Sequence, residues 1–206
     1  MNLPNKITVS RIALVPIFMI FIIPIPDVTV NLPILSFMKD EMLSINKFIN
    51  NYGNYVAAVL FILAASTDGV DGYIARKHKL ITAFGKFLDP IADKLLITAA
   101  LIALVQRGVV TGWAAMIIIS RELLVTGMRL VAAGEGQVVA ANKSGKVKMV
   151  CQTVAVSVAL LNNFPFSLFT DIRVDAYLMF IAVIVTIYSG IDFFVKNIKV
   201  IKPEEI

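Results

Sequence analysis

The chain has 206 residues, 58% of them hydrophobic and 16% charged, with a net charge of +5 and a mean hydropathy of +0.84. A soluble domain carries about 25% charged residues, so an ordinary water-soluble fold is excluded. The apolar residues fall in blocks of about 20, the length that crosses a hydrocarbon core as a helix, and the basic surplus reads as membrane topology rather than as a nucleic-acid surface.

The first block follows Lys6 and Arg11 and resembles a signal peptide. No A-x-A-like cleavage site follows it, so an uncleaved membrane helix is expected over about 7–25, kinked at Pro16. Residues 26–54 form the longest connection, extracytoplasmic or interfacial, with an amphipathic helix over about 37–49 lying in the interface. The second span is expected over about 55–76. The third begins somewhere between Phe84 and Pro90 and ends near Gln106. The remaining three cover about 111–133, 147–162 and 176–195. The expected architecture is an all-α integral membrane protein of six transmembrane helices, a single membrane-embedded domain over 1–206.

Lysine and arginine counts orient these spans. Lys6, Arg11, Arg76, Lys77, Lys79, Lys86, Lys143, Lys146, Lys148, Lys196, Lys199 and Lys202 fall on one side, against Lys39, Lys47, Arg107 and Arg173 on the other. Both termini are therefore expected in the cytoplasm, together with the loop between the second and third spans. Trp113 and Tyr177 read as interfacial aromatics. The single cysteine, Cys151, has no intrachain partner and reads as a structural thiol. His78 receives no role.

Against this apolar background stand four aspartates, Asp68, Asp71, Asp89 and Asp93, at the inner ends of the second and third spans. Each carboxylate costs about 2.5–3.5 kcal/mol at the centre of a membrane helix, so something must compensate them. Asp68, Asp71, Gly72 and Ala75 fall at i, i+3, i+4 and i+7, one face of a helix. Gly85, Asp89 and Asp93 fall at i, i+4 and i+8, again one face if the helix is continuous there. Two unit charges 4 Å apart repel by about 4 kcal/mol at an effective dielectric of 20, so facing stripes call for cations. All-oxygen ligands suit Mg²⁺, Mn²⁺ or Ca²⁺, and Mg²⁺ in particular pairs carboxylates with substrate phosphates. The stripes thus suggest a two-metal phosphate site. Gly72 and Ala75 leave room for a flat ligand, and Arg76 is placed to pair with phosphate. Two other readings stay open: Asp89-Pro90 as the ordinary N-cap and first residue of a helix, and Asp68 with Asp71 as a cation or proton pathway of a transporter. An EF-hand does not fit, because DGVDG lacks the alternating ligands of that loop.

Taken together, Asp68, Asp71, Gly72, Ala75, Arg76, Gly85, Asp89 and Asp93 resemble the CDP-alcohol phosphotransferase signature, D-x2-D-G-x2-A-R-x8-G-x3-D-x3-D. Every fixed position is present, and the six-span plan is similar as well. The resemblance implies that Asp68, Asp71, Asp89 and Asp93 hold two divalent cations, usually Mg²⁺, with Mn²⁺ also possible. Gly72, Ala75 and Gly85 would admit the cytidine nucleotide, and Arg76 would hold its diphosphate, with Asn5, Thr8 and Arg11 at its border. Asp93 would also be the general base on an acceptor hydroxyl that attacks CDP-diacylglycerol and releases CMP. A homodimer is implied too.

The stretch SRELLVTGMRLVAAGEGQVVAANKSGKVKM, like LPNKITVSRI near the start, resembles the branch whose acceptor is glycerol 3-phosphate. Charge gives a bottom-up reason. Arg121 and Arg129 lie eight residues apart on the fourth span, and Lys143, Lys146 and Lys148 open the fifth. Cations near four carboxylates suit an anionic acceptor. The lysines also fit a plain positive-inside cluster, Arg121 also fits a pair with Glu122, and Lys148-Met149 departs from the Lys-Thr expected of that branch. An inositol phosphate acceptor remains the alternative.

Overall fold

The computed structural model describes residues 3–77, 83–134 and 142–197; over 3–5, 7, 35, 68–77, 83–87, 89, 90 and 93 it describes the backbone alone. The elements are α1 (Leu3–Ile22), a short turn α2 (Asp27–Val30), α3 (Lys39–Phe48), α4 (Asn54–Lys77), α5 (Ala83–Gln106), α6 (Gly112–Gly134), α7 (Lys143–Leu160) and α8 (Val174–Lys196). Short 3₁₀ segments cover Pro33–Met38 and Phe166–Leu168. Among the described residues there is no strand.

Among the described residues six helices are long, and each falls on an expected span. α1 lies against α4 and α5, α7 against α4, α5 and α8, and α6 against α5 and α8. The buried seam is rich in alanine, with Ala57, Ala58, Ala64, Ala99, Ala100, Ala103, Ala155, Ala159 and Ala182 around Phe18, Phe61, Leu101, Leu104 and Leu160. Small residues let helix backbones approach closely where lipid supplies no hydrophobic drive. On α8 the inward face carries Asp175, Thr186, Ser189 and Gly190 beside Met179, Ala182 and Phe193, whereas Tyr177, Phe180, Ile184, Ile187, Tyr188, Ile191 and Val195 point outward. Among the described residues two helical stretches are long and apolar enough to cross a membrane, Ser36–Thr67 and Val174–Lys196, and shorter apolar stretches of α1 and α5 cover Thr8–Ile22 and Lys94–Gln106.

The connection over 26–54 differs from expectation in one respect. The amphipathic helix is present as α3, without a buried residue, but it is not separate from the next span. A π-helical turn over Ile49–Gly53 joins it to α4, so the helix runs on from Lys39 to Lys77. No proline lies between Lys39 and Gly53 to stop it, and the widened turn carries it through Asn50, Asn51 and Gly53. Gly53 has a packing reason: a Cβ there would lie 2.1 Å from the Phe21 carbonyl oxygen. Gly53→Ala should therefore force α1 and α4 apart and destabilise the fold by about 1–3 kcal/mol, the usual cost of overpacking. Thermal unfolding in detergent checks this; an unshifted midpoint would mean that α1 yields without cost.

Polar groups stitch the end of the bundle remote from the chain termini. Asn46 bonds both backbone groups of Ile25, at 2.7 and 2.9 Å. Arg107 donates to the carbonyls of Ile22 and Ile49 at 2.7 and 3.1 Å, closing orphan carbonyls near the end of α1 and in the π turn; burial pushes its guanidinium below its ordinary pKa. Asn54 donates to Asn162 at 2.7 Å. Asn162 and Asn163 take positive φ, 54° and 66°, the left-handed conformation that asparagine tolerates after a helix. Arg173 grips Asp175 through two hydrogen bonds, at 3.0 and 2.8 Å.

Candidate active site

The aspartates occupy the last turns of α4 and the first turns of α5, two helices in contact and separated by only five residues of sequence. Continuity of α4 to Lys77 puts Asp68, Asp71, Gly72 and Ala75 on one face, with Arg76 beside them. α5 starts at Ala83 and runs through Pro90. Asp89 is thus inside a helix, which corrects the N-cap alternative, and Gly85, Asp89 and Asp93 share a face. The proline forfeits one backbone bond, which neighbouring groups in a membrane bundle can replace. The side chains of Asp68, Asp71, Gly72, Ala75, Arg76, Gly85, Asp89, Asp93 and Asn5 lie outside the described residues.

The described surroundings are strongly polar for a bundle interior. Thr8 and Arg11 on α1 are each 1% exposed. Arg11 lines a small cavity with Phe61, Ala64 and Ala65 of α4, Leu96 and Ile97 of α5, and Thr153 of α7. It therefore enters between the aspartate-bearing helices about one turn from Asp68.

Next to this region a buried carboxylate, Glu122 on α6, gathers cations from three helices. Its Oε1 accepts from Lys148 Nζ on α7 and, at 3.4 Å, from Arg121 Nη1 on its own helix. Its Oε2 lies 3.8 Å from Lys94 Nζ on α5, the residue following Asp93. Arg121 continues to α8, where its Nη2 donates to Ser189 Oγ at 2.8 Å. Gly190 makes room for it, since a Cβ there would stand 3.3 Å from Arg121 Cγ. One turn further along α8, Arg129 lies over the Phe193 ring, 5.5 Å from its centroid, a cation–π contact. Asp192 accepts from Asn142, from Ser144 at 2.6 Å and from Lys196 at 2.6 Å. It thereby ties the start of α7 to the end of α8. Deeper between the same helices, Gln152 donates to Thr186 at 2.8 Å.

Of the cations singled out in the sequence, Arg121 and Lys148 meet at Glu122, and Arg121 with Arg129 both face α8. Lys143 and Lys146 stand exposed and do not join them. Helix geometry accounts for the split: Lys148 is about 200° around α7 from Lys146. Sequence reasoning missed Lys94, Ser189, Asn142, Ser144 and Asp192, and took Glu122 only as a neighbour of Arg121. The available signal was an Arg-Glu pair inside an apolar span, since ionisable residues there demand partners.

Comparison with known proteins extends the resemblance to the whole chain. The family model described as CDP-alcohol phosphatidyltransferase matches residues 1–188. A CDP-diacylglycerol–glycerol-3-phosphate 3-phosphatidyltransferase of Bacillus subtilis (strain 168) is 49% identical over 201 residues, 98% of this chain and 97% of the relative. A protein of the same name from Rickettsia felis is 36% identical over 194 residues, 94% of this chain and 93% of that relative. A probable phosphatidylglycerophosphate synthase of Mycobacterium tuberculosis is 32% identical over 199 residues, 96% of this chain and 82% of that relative. A matching family model with relatives of nearly equal length overturns the reading of the chain as a transporter. With its eight signature residues carried on α4 and α5, the chain belongs to the CDP-alcohol phosphatidyltransferase family and is a membrane-associated transferase.

Proposed function

We propose that this chain transfers a phosphatidyl group from CDP-diacylglycerol to glycerol 3-phosphate, giving phosphatidylglycerophosphate and CMP. The observation that carries the reading is the pair of aspartate stripes, each on one continuous helical face of two contacting helices. A 49% identical relative with that activity in its name supports the choice of acceptor.

The donor set fits hard divalent cations: four carboxylates, with only oxygen ligands and no sulfur or imidazole among the signature residues. Asp68, Asp71, Asp89 and Asp93 would hold two such ions, Mg²⁺ or Mn²⁺, which when bound neutralise the diphosphate of the leaving nucleotide. Gly72, Ala75 and Gly85 leave space for the cytidine moiety, with Asn5 and Thr8 at its edge. Arg76 pairs with the diphosphate in forked geometry. Asp93 takes the proton of the acceptor hydroxyl. The hydroxyl oxygen then forms a bond to the β-phosphorus as the bond from that phosphorus to the bridging oxygen breaks, in line, and CMP leaves with that oxygen. Arg121, Arg129, Lys143, Lys146 and Lys148 supply the basic side toward which the phosphate of glycerol 3-phosphate is drawn. The burial of Lys148 and Arg121 among helices favours these two over the exposed lysines.

The reading includes a single catalytic domain over 1–206 with six spans in the cell membrane. Both termini and the active site lie on the cytoplasmic side, and residues 26–54 lie at or beyond the opposite interface. It also includes a homodimer. The test is an acceptor panel: purified protein with CDP-diacylglycerol, Mg²⁺ and, in turn, glycerol 3-phosphate, inositol phosphate, serine or glycerol. CMP is expected with glycerol 3-phosphate alone. Release with inositol phosphate instead would reassign the acceptor, and release with glycerol would remove the need for a phosphate cradle.

A further inference from the structure

Glu122 has no place in the reaction as written, yet it is 7% exposed and is the only described carboxylate in contact with cations of α5, α6 and α7. We infer that Glu122 is a positioning residue for the acceptor: it sets the guanidinium of Arg121 and the ammonium of Lys148 at one spacing beside the Asp93 turn of α5, so that both meet the phosphate of the incoming acceptor. The inference rests on the proposed reaction and deepens it.

Three observations carry it. The first is division of labour between the two oxygens. Oε1 takes Lys148 and Arg121 together, so the two cations are held at a common point despite their mutual repulsion. Oε2 looks toward Lys94 at 3.8 Å, which registers α6 against the helix that carries the proposed base. The second is the route from Glu122 to α8. Arg121 is clamped at one end by Glu122 and at the other by Ser189, over the gap that Gly190 leaves. A guanidinium fixed at both ends loses little freedom when it binds an anion. The third is a donor kept in reserve: Arg121 Nε is buried and has no hydrogen-bond partner among the described residues. A buried donor without an acceptor is costly, and a phosphate oxygen is a suitable acceptor for it. A purely structural ion pair gives no reason to retain that donor. Thr126 fixes the backbone beneath, donating to the Glu122 carbonyl at 2.7 Å.

The test is steady-state kinetics of CMP release by the full-length protein in detergent–lipid micelles, varying glycerol 3-phosphate and CDP-diacylglycerol separately. Glu122→Gln keeps shape and loses charge. It should raise KM for glycerol 3-phosphate about tenfold, with kcat and the KM for CDP-diacylglycerol changed less than about threefold. Glu122→Asp, which keeps the charge, should recover most of that loss. An unchanged acceptor KM in Glu122→Gln, an equal rise for both substrates, or no recovery in Glu122→Asp would overturn the assignment. Should Glu122→Gln fail to fold, Ser189→Ala carries the test, since it frees the far end of Arg121. A selective rise of about threefold in acceptor KM is then expected, and no rise overturns it. The wild-type protein run alongside separates the two ideas: no CMP release with glycerol 3-phosphate sinks the proposed acceptor, whereas normal wild-type release with an unmoved variant KM sinks only the role of Glu122.

Discussion

Asp93→Asn is expected to stop CMP release while leaving CDP-diacylglycerol bound. The substitution is nearly isosteric, so the fold should persist. What it removes is the charge that, in the proposed reaction, accepts the acceptor proton. General-base catalysis contributes about 10²–10⁴-fold to rate, and a weakened metal site would add to that loss. Turnover should therefore fall by at least about a thousandfold. The proposed donor site draws on Asp68, Asp71, Gly72, Ala75, Arg76 and Asp89 as well, so the dissociation constant for CDP-diacylglycerol should change by only a few-fold. Single-turnover CMP release, measured beside equilibrium binding of the CDP-lipid, checks both halves. Near-normal turnover would remove Asp93 from the role of base. Lost turnover together with lost binding would make it a metal ligand without a separate part in proton transfer.

The helical scaffold was legible because lipid permits few backbone solutions: blocks of about 20 apolar residues must satisfy their own peptide groups as helices. All six long helices coincide with those blocks to within several residues. What escaped were places where a local signal admitted two outcomes. Asp89-Pro90 has the chemistry of a helix start, and only the helical path from Ala83 onward places Asp89 and Asp93 on one uninterrupted face. The asparagines and glycine before α4 have the chemistry of a turn, yet a π turn carries the helix through them. Neither choice is decided by propensity over a few residues; close packing against α1 at Gly53 is a tertiary matter.

The site was legible in a different way. The aspartate stripes follow from spacing alone, because the helix period sets which residues share a face. The Glu122 network was not, because Lys94 and Lys148 are remote from it in sequence and meet it only once α5, α6 and α7 pack. One part could have been read earlier. Lys143, Lys146 and Lys148 look like a single basic cluster in the sequence. On a helix, however, Lys148 turns away from Lys146, and a buried lysine must find a carboxylate. The Arg-Glu pair two turns before Arg129 was the natural candidate.

The account stands on divalent cations held between α4 and α5. With all four signature carboxylates left to repel one another, the diphosphate would keep Arg76 alone as counter-charge and the leaving CMP would lose the stabilisation such ions supply. The most direct measurement is CMP release from CDP-diacylglycerol and glycerol 3-phosphate by purified protein stripped with EDTA, followed by titration with Mg²⁺. Release should vanish on chelation, by at least about a thousandfold given the several kcal/mol such ions supply, and return on adding Mg²⁺ or Mn²⁺. Undiminished release in EDTA would contradict it.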